Sequence, residues 1–146
     1  MVGARDEARS AEAVEKLQSE GFDADFVKID ATDAETIKNA AQMVGEKYGK
    51  LNVLINNAAI AVETMDAKPS ETSLDTIRKT FDTNFFGVIE ITQAFLPLIE
   101  KSENGRIVNV SSGSGFLTQN SDPNWAFPPS NRLPITLQKP RSTLLR

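Results

Sequence analysis

The sequence predicts an α/β protein built on a parallel sheet. Helical and strand patterns alternate strictly along the chain, short loops join them, and polar clusters follow directly on the predicted strands. With 146 residues the chain suffices for one domain and one core.

Each element has a local reason. From Asp6 to Glu20, helix formers place Ala8, Ala11, Val14 and Leu17 on one stripe, and Gly21 stands where a left-handed terminating residue belongs. Phe26 to Ile29 reads as a short strand. Thr32 and Glu35 then form a capping box for a second helix, whose inner stripe is Ile37, Ala41, Val44 and Tyr48 and which Gly49 closes. Leu51 to Ile55 is an apolar strand running straight into Asn56-Asn57-Ala58-Ala59. After a polar loop containing Pro69, Ser73 caps a long helix spanning 73–100 with Leu74, Ile77, Phe81, Phe85, Val88, Ile91, Phe95 and Leu98 as its apolar positions. Pro97 is expected to kink that helix or end it early. Asn104-Gly105 turns the chain into a last strand, Arg106 to Val110, which stops on Ser111-Ser112-Gly113. From Pro128 to Arg146 the chain is an irregular basic tail with four prolines, four basic residues and no acidic one.

Composition removes several classes of function. Net charge is −4, against the basic footprint that general nucleic-acid binding needs. Cysteine and histidine are both absent. Disulfides, Cys/His metal sites and Ser-His nucleophile pairs are therefore excluded, and no metal site is expected. No apolar run approaches the roughly 20 residues of a membrane span, and the N-terminus lacks the apolar core of a signal peptide, so a cytoplasmic protein without membrane partners is expected.

In open α/β sheets, sites lie at the carboxyl ends of strands. Asp30, the Asn56–Ala59 run and Ser111-Ser112 all fall there. Taken singly, an Asn-Asn or Ser-Ser pair is ordinary turn chemistry. Asn84, amid Phe81, Phe85 and Phe86, either faces solvent one position off the apolar stripe or is a buried polar group that requires a partner. The Gly113-Ser114-Gly115 turn lacks the following helix that a phosphate-binding loop needs. Trp125 and Phe127 fit core positions better than a pocket wall.

Together, LINNAAI, KTFDTNFFGV and GRIVNVSSGSG resemble the short-chain dehydrogenase/reductase family, and the likeness runs from Val2 to about Phe127. Ala-Arg-Asp at 4–6 and Asn-Phe-Phe-Gly at 84–87 resemble its carbonyl-reductase-like members in particular. The resemblance implies a partial Rossmann-like, doubly wound parallel sheet over 1–127 that binds NAD(P). Implied as cofactor residues are Arg5, for the 2′-phosphate of NADP; Asp30 and Ala31, at the adenine; and Asn57, Ala58 and Ala59, along the cofactor. NADP is the preferred cofactor and NAD the alternative. Asn84 resembles the asparagine that holds a water in the proton relay, and Ser112 the serine that donates a hydrogen bond to the substrate carbonyl oxygen. The implied reaction is hydride transfer to or from a small carbonyl or alcohol substrate. Pairing of subunits through the 73–100 helix is a further expectation from the family.

The family's first strand and Gly-rich turn have no counterpart in this sequence, and the resemblance puts that strand in the middle of the sheet. Two separated sheet pieces are therefore expected. The Tyr-x-x-x-Lys pair is also absent, and Tyr48, the only tyrosine, sits on the second helix. Codons for Leu133 to Thr143 can be chosen that, read two bases on, encode Ala-Tyr-Asn-Ser-Ser-Lys-Thr-Ala-Leu-Asn, which leads to the expectation of an out-of-frame tail. The chain as it stands is expected to be inactive as a reductase. The competing expectation is a non-enzymatic interaction module that works through exposed helices and unpaired strand edges.

Overall fold

The computed structural model describes residues 1–62 and 69–112. The Gly113–Gly115 turn, Trp125, Phe127 and the 128–146 tail lie outside the described residues.

Strands and helices alternate in the expected order. They are β1 (Val2–Ala4), α1 (Glu7–Ser19), β2 (Phe26–Lys28), α2 (Ala34–Tyr48), β3 (Val53–Asn56), α3 (Leu74–Phe81), α4 (Gly87–Ile99) and β4 (Arg106–Asn109), with a 3₁₀ turn at Pro69–Glu71. A π segment, Asp82–Phe86, joins α3 to α4. The strands form two separate parallel pairs, β1 with β2 and β3 with β4, which agrees with the two sheet pieces expected. In register, Gly3 stands opposite Val27 and Leu54 opposite Ile107.

One core spans both pairs. Val27 of β2, Ala40 and Val44 of α2, Phe95, Leu98 and Ile99 of α4, and Ile107 of β4 pack together as buried side chains. The helices α2 and α4 thus lie across the two sheets and join them. On β3 and β4, Leu54, Asn56, Ile107 and Asn109 take the more buried positions, and Val53, Ile55, Arg106 and Val108 the exposed ones. That alternation follows from the two-residue period of a strand covered on one face.

Several local expectations are corrected. The cap of α2 is Asp33, whose carboxylate accepts from the Glu35 and Thr36 backbone N–H groups; the Thr32 hydroxyl turns back to Asp30 instead. The buried stripe of α2 is Ile37, Ala40 and Val44, while Tyr48 is exposed. Its hydroxyl donates to Asp25 at 2.7 Å, so the ring lies along the surface. On α1 Ala8 and Ala11 are exposed and only Ser10 is buried. A sheet of two strands offers that helix too little area to cover the whole stripe. Leu51 precedes β3 because its N–H donates to the Leu98 carbonyl at 2.9 Å, which ties it to the end of α4.

The long helix is irregular at a different place from the one expected. It runs through Pro97 to Ile99, and the break in regularity is the π segment 15 residues earlier at Asp82. Pro97 and Gln93 are both exposed, so the carbonyl that loses its helical partner faces water. In the first half, moreover, the buried face is Thr80, Asn84 and Gly87 rather than the phenylalanines, and Leu74 is 67% exposed. Phe81, Phe85 and Phe86 meet one another instead, with edge-on ring pairs at 6.0 and 5.3 Å.

Candidate cofactor and active site

The ends of β3 and β4 are held by a buried amide network. Asn56, 6% exposed, donates from Nδ2 to Asn109 Oδ1 at 2.8 Å and to Thr92 Oγ1 at 3.1 Å. One side chain thereby pins both strand ends to α4. Burying these polar groups is tolerable because each meets a partner. The sequence singles out Asn56 only as part of the Asn56–Ala59 run; Asn109 and Thr92 it left without a role. Asn109 had a signal, a polar residue between Val108 and Val110.

The turn after β2 is equally well determined. Asp30 Oδ1 accepts from the Thr32 N–H at 2.9 Å and from its hydroxyl at 2.8 Å, and the Asp30 N–H donates to Thr36 Oγ1 at 2.9 Å. These two bonds from Thr32 hold the Asp30 carboxyl below the usual carboxylate range, with the positive charge of Arg5 adding to the effect. Arg5 itself is exposed, directly after β1. The ends of β1 and β2 therefore present a guanidinium and a carboxylate as neighbours.

Asn84 is 1% exposed, so it does not face solvent. It lies within the π segment, and its amide clamps the backbone of Ile60: the Ile60 N–H donates to Asn84 Oδ1 at 2.9 Å, and Asn84 Nδ2 donates to the Ile60 carbonyl at 2.8 Å. The loop carrying Asn57, Ala58 and Ala59 is thereby anchored to the long helix. Single-turn π segments inside α-helices recur at functional positions, and this one turns an asparagine inward between aromatic neighbours.

Gly87 sits one turn further on. A Cβ there would come within 2.2 Å of the Ala31 carbonyl oxygen, so only glycine lets α4 approach the turn after β2 this closely. The sequence reading had Gly87 within its long-helix motif but gave it no role.

These contacts gather Ala31, Asn57 and Ala58, with Thr83, around one end of a cavity of about 490 Å³ that runs between the two sheets. Arg5 and Asp30 stand beside Ala31 without lining the cavity, and Ala59 is exposed on the loop next to Ala58. Ser112 is half-buried beyond β4, three residues after the Asn109 network. The lone tyrosine is at the opposite end of the sheet, since Asp25, its partner, precedes β2 whereas Asp30 follows it. Among the described residues no cluster of acidic side chains could hold a metal ion, and no helix is long and apolar enough to cross a membrane.

The family model described as short chain dehydrogenase matches residues 1–126. The chain belongs to the short-chain dehydrogenase family. Over 118 residues it is 42% identical to carbonyl reductase (NADPH) 1 of Bos taurus, a match that covers 81% of this chain and 40% of that relative. The corresponding human protein is 39% identical over 109 residues, or 75% of this chain and 38% of the relative. Among solved structures, NADPH-bound carbonyl reductase from chicken fatty liver is similar at 31% identity and a TM-score of 0.70, covering 80% of this chain and 49% of that one. Salutaridine reductase from Papaver somniferum is similar at 28% identity and a TM-score of 0.71, covering 80% and 50%. The chain thus spans about two fifths of the length of the curated relatives it matches. Its carbonyl-reductase-like character and its partial Rossmann-type sheet agree with the expectations from sequence.

Proposed function

We propose that the chain carries the adenine-side and loop elements of an NADP(H)-dependent oxidoreductase acting on small carbonyl or alcohol compounds. The observation that carries this reading is the meeting of three strand ends: Arg5 beside Asp30, with Ala31, Asn57 and Ala58 around one cavity. Relatives at 42% and 39% identity are named as NADPH carbonyl reductases, which agrees with an arginine at the position of a 2′-phosphate.

The donor set suits such a cofactor. Arg5 is exposed and offers a fork of N–H donors to a phosphate. Asp30 is held ionised by Thr32 and can accept from an adenine amino group. Asn57 and Ala58 line the cavity between the sheets, Ala59 is exposed beside them, and the Asn84 clamp on the Ile60 backbone keeps the loop in place. When bound, the nicotinamide supplies or accepts hydride. Asn84 orders the loop and, as in the family, positions water, and Ser112 donates a hydrogen bond to the substrate oxygen as charge develops on it. The proton donor for that oxygen is a separate requirement. Tyr48 is committed to Asp25 at the far end of the sheet and cannot meet it.

The expected outcome is binding of the cofactor without turnover. Titration calorimetry on the full chain should give tighter binding of NADPH than of NADH, with the difference removed in Arg5→Ala. NADPH oxidation with small aldehydes should stay at background. Equal affinity for the two cofactors, or an Arg5→Ala variant that keeps the preference, contradicts the assignment of Arg5 and of NADP.

A further inference from the structure

Asn104 and Gly105 form the one Asn-Gly pair in the sequence, and they lie in the turn between α4 and β4. The turn is tied at both ends to a single residue. The Ser102 hydroxyl donates to Asn52 Oδ1 at 2.8 Å, and the Arg106 N–H donates to the Asn52 carbonyl at 2.9 Å. Between these anchors Asn104 is exposed. No hydrogen bond of ordinary geometry among the described residues holds its carboxamide or the Gly105 N–H. Gly105 is required where it stands: a Cβ there would lie 2.5 Å from the Ile99 carbonyl oxygen and 2.6 Å from Ile99 Cγ2. The close approach of the turn to the end of α4 therefore keeps a glycine behind Asn104.

That pairing has a chemical consequence. A backbone nitrogen followed by a Cβ-less residue is unhindered, and glycine's freedom in φ lets it swing toward the carboxamide carbon of the preceding asparagine. Nucleophile and electrophile are adjacent in one chain, so their meeting costs little entropy. The other asparagines lack this combination. Each is followed by a residue with a side chain. Asn56 and Asn84 are moreover buried and held through their amides, and Asn52 and Asn109 accept hydrogen bonds at Oδ1.

We propose that Asn104 is a site of spontaneous deamidation and that its isoaspartyl product releases the start of β4 from Asn52. The Gly105 nitrogen attacks Asn104 Cγ, the new C–N bond closes a five-membered succinimide, and the bond from Cγ to Nδ2 breaks. The proton of the Gly105 N–H leaves with Nδ2 as ammonia. Water then opens the ring. Attack at Cγ gives aspartate, whereas attack at the Asn104 backbone carbonyl leaves the chain running through Cγ as isoaspartate. Both products add a carboxylate to a chain whose net charge is −4. Only isoaspartate lengthens the backbone by a methylene, within a segment whose two ends are fixed on Asn52. The bond from Arg106 opens the pairing of β4 with β3, and it is the one a longer turn displaces; the bond from the Val110 N–H to the Asn56 carbonyl, at the far end, remains. The cofactor reading plays no part in this, and either can fail without the other.

The test ages the full chain in mildly alkaline buffer, which deprotonates more of the attacking nitrogen, and follows the tryptic peptide Ser102–Arg106 by mass spectrometry. Methyl transfer from S-adenosylmethionine by an isoaspartyl methyltransferase separates isoaspartate from aspartate in that peptide. Deamidation should proceed within roughly tenfold of its rate in free acetyl-Ser-Glu-Asn-Gly-Arg-amide, because an exposed turn opens at little cost. Methyl acceptance at this peptide should be lost in Asn104→Gln, whose longer side chain would have to close a six-membered ring. In the aged chain, hydrogen exchange should quicken at the Arg106 amide and stay unchanged at Val110. An Asn104 that remains intact while the free peptide deamidates, or a product that is aspartate alone, overturns the proposal. Isoaspartate with unaltered exchange at Arg106 overturns the release of β4.

Discussion

At Gly87 a single hydrogen in place of a methyl group decides whether the long helix can close on the turn after β2. In an open helix interior, glycine to alanine gains roughly 1 kcal/mol. Here the new methyl would overlap the Ala31 carbonyl, which is backbone and cannot swing aside. Gly87→Ala should therefore lower stability by roughly 1–3 kcal/mol, the usual range for overpacking, in urea unfolding followed by circular dichroism. A neutral or stabilising outcome would mean that the approach is not needed. Such a residue is only half legible: the glycine is visible in the sequence, but what it touches lies more than 50 positions earlier. Asn84 is similar. Its interruption of the phenylalanines marked it as unusual, yet its partner, the Ile60 backbone, became known only once the chain was folded. Asp30 was more accessible to reading, since a carboxylate followed two residues later by threonine is a local turn.

Among the elements, α2 shows how neighbours override a local pattern. Thr32 and Glu35 have the spacing of a capping box, but the residue between them, Asp33, is the better acceptor for the N–H groups of Glu35 and Thr36. Tyr48 has the right spacing for the buried stripe, but the helix ends over the start of β2, where Asp25 receives both the Lys47 ammonium and the Tyr48 hydroxyl. These partners hold the Asp25 carboxyl below the usual carboxylate range, the hydrogen bond from Lys47 being the largest cause. A depressed folded-state pKa contributes stability that is complete above the unfolded value and disappears as pH falls through the folded one. An NMR titration of the Asp25 carboxyl should accordingly show a lowered midpoint that moves up in Lys47→Met and in Tyr48→Phe. Because the pair is exposed, 1 M salt should also move it up. A midpoint indifferent to both substitutions would show that the α2 end is not pinned to β2 in this way.

Across the whole molecule, stability depends on two helices spanning a divided sheet. Phe95 belongs to the core shared by both strand pairs and also lines the cavity between the sheets. Phe95→Ala should cost about 3–5 kcal/mol and raise the exchange of amides at Val27 and Ile107 together, because both strand pairs lose the same support. Loss of protection at only one of the two would mean that the pairs unfold independently. Hydrophobic periodicity, capping residues and glycine stops determined the type and order of the elements, because those signals act within one or two turns of chain. The motifs LINNAAI, KTFDTNFFGV and GRIVNVSSGSG likewise carried the family, and from it followed a sheet in two pieces. Which residues are buried on the long helix and which backbone groups its asparagine bonds were decided only by tertiary contacts. They join residues such as Asn56 and Asn109, or Ala31 and Gly87, that no local spacing relates.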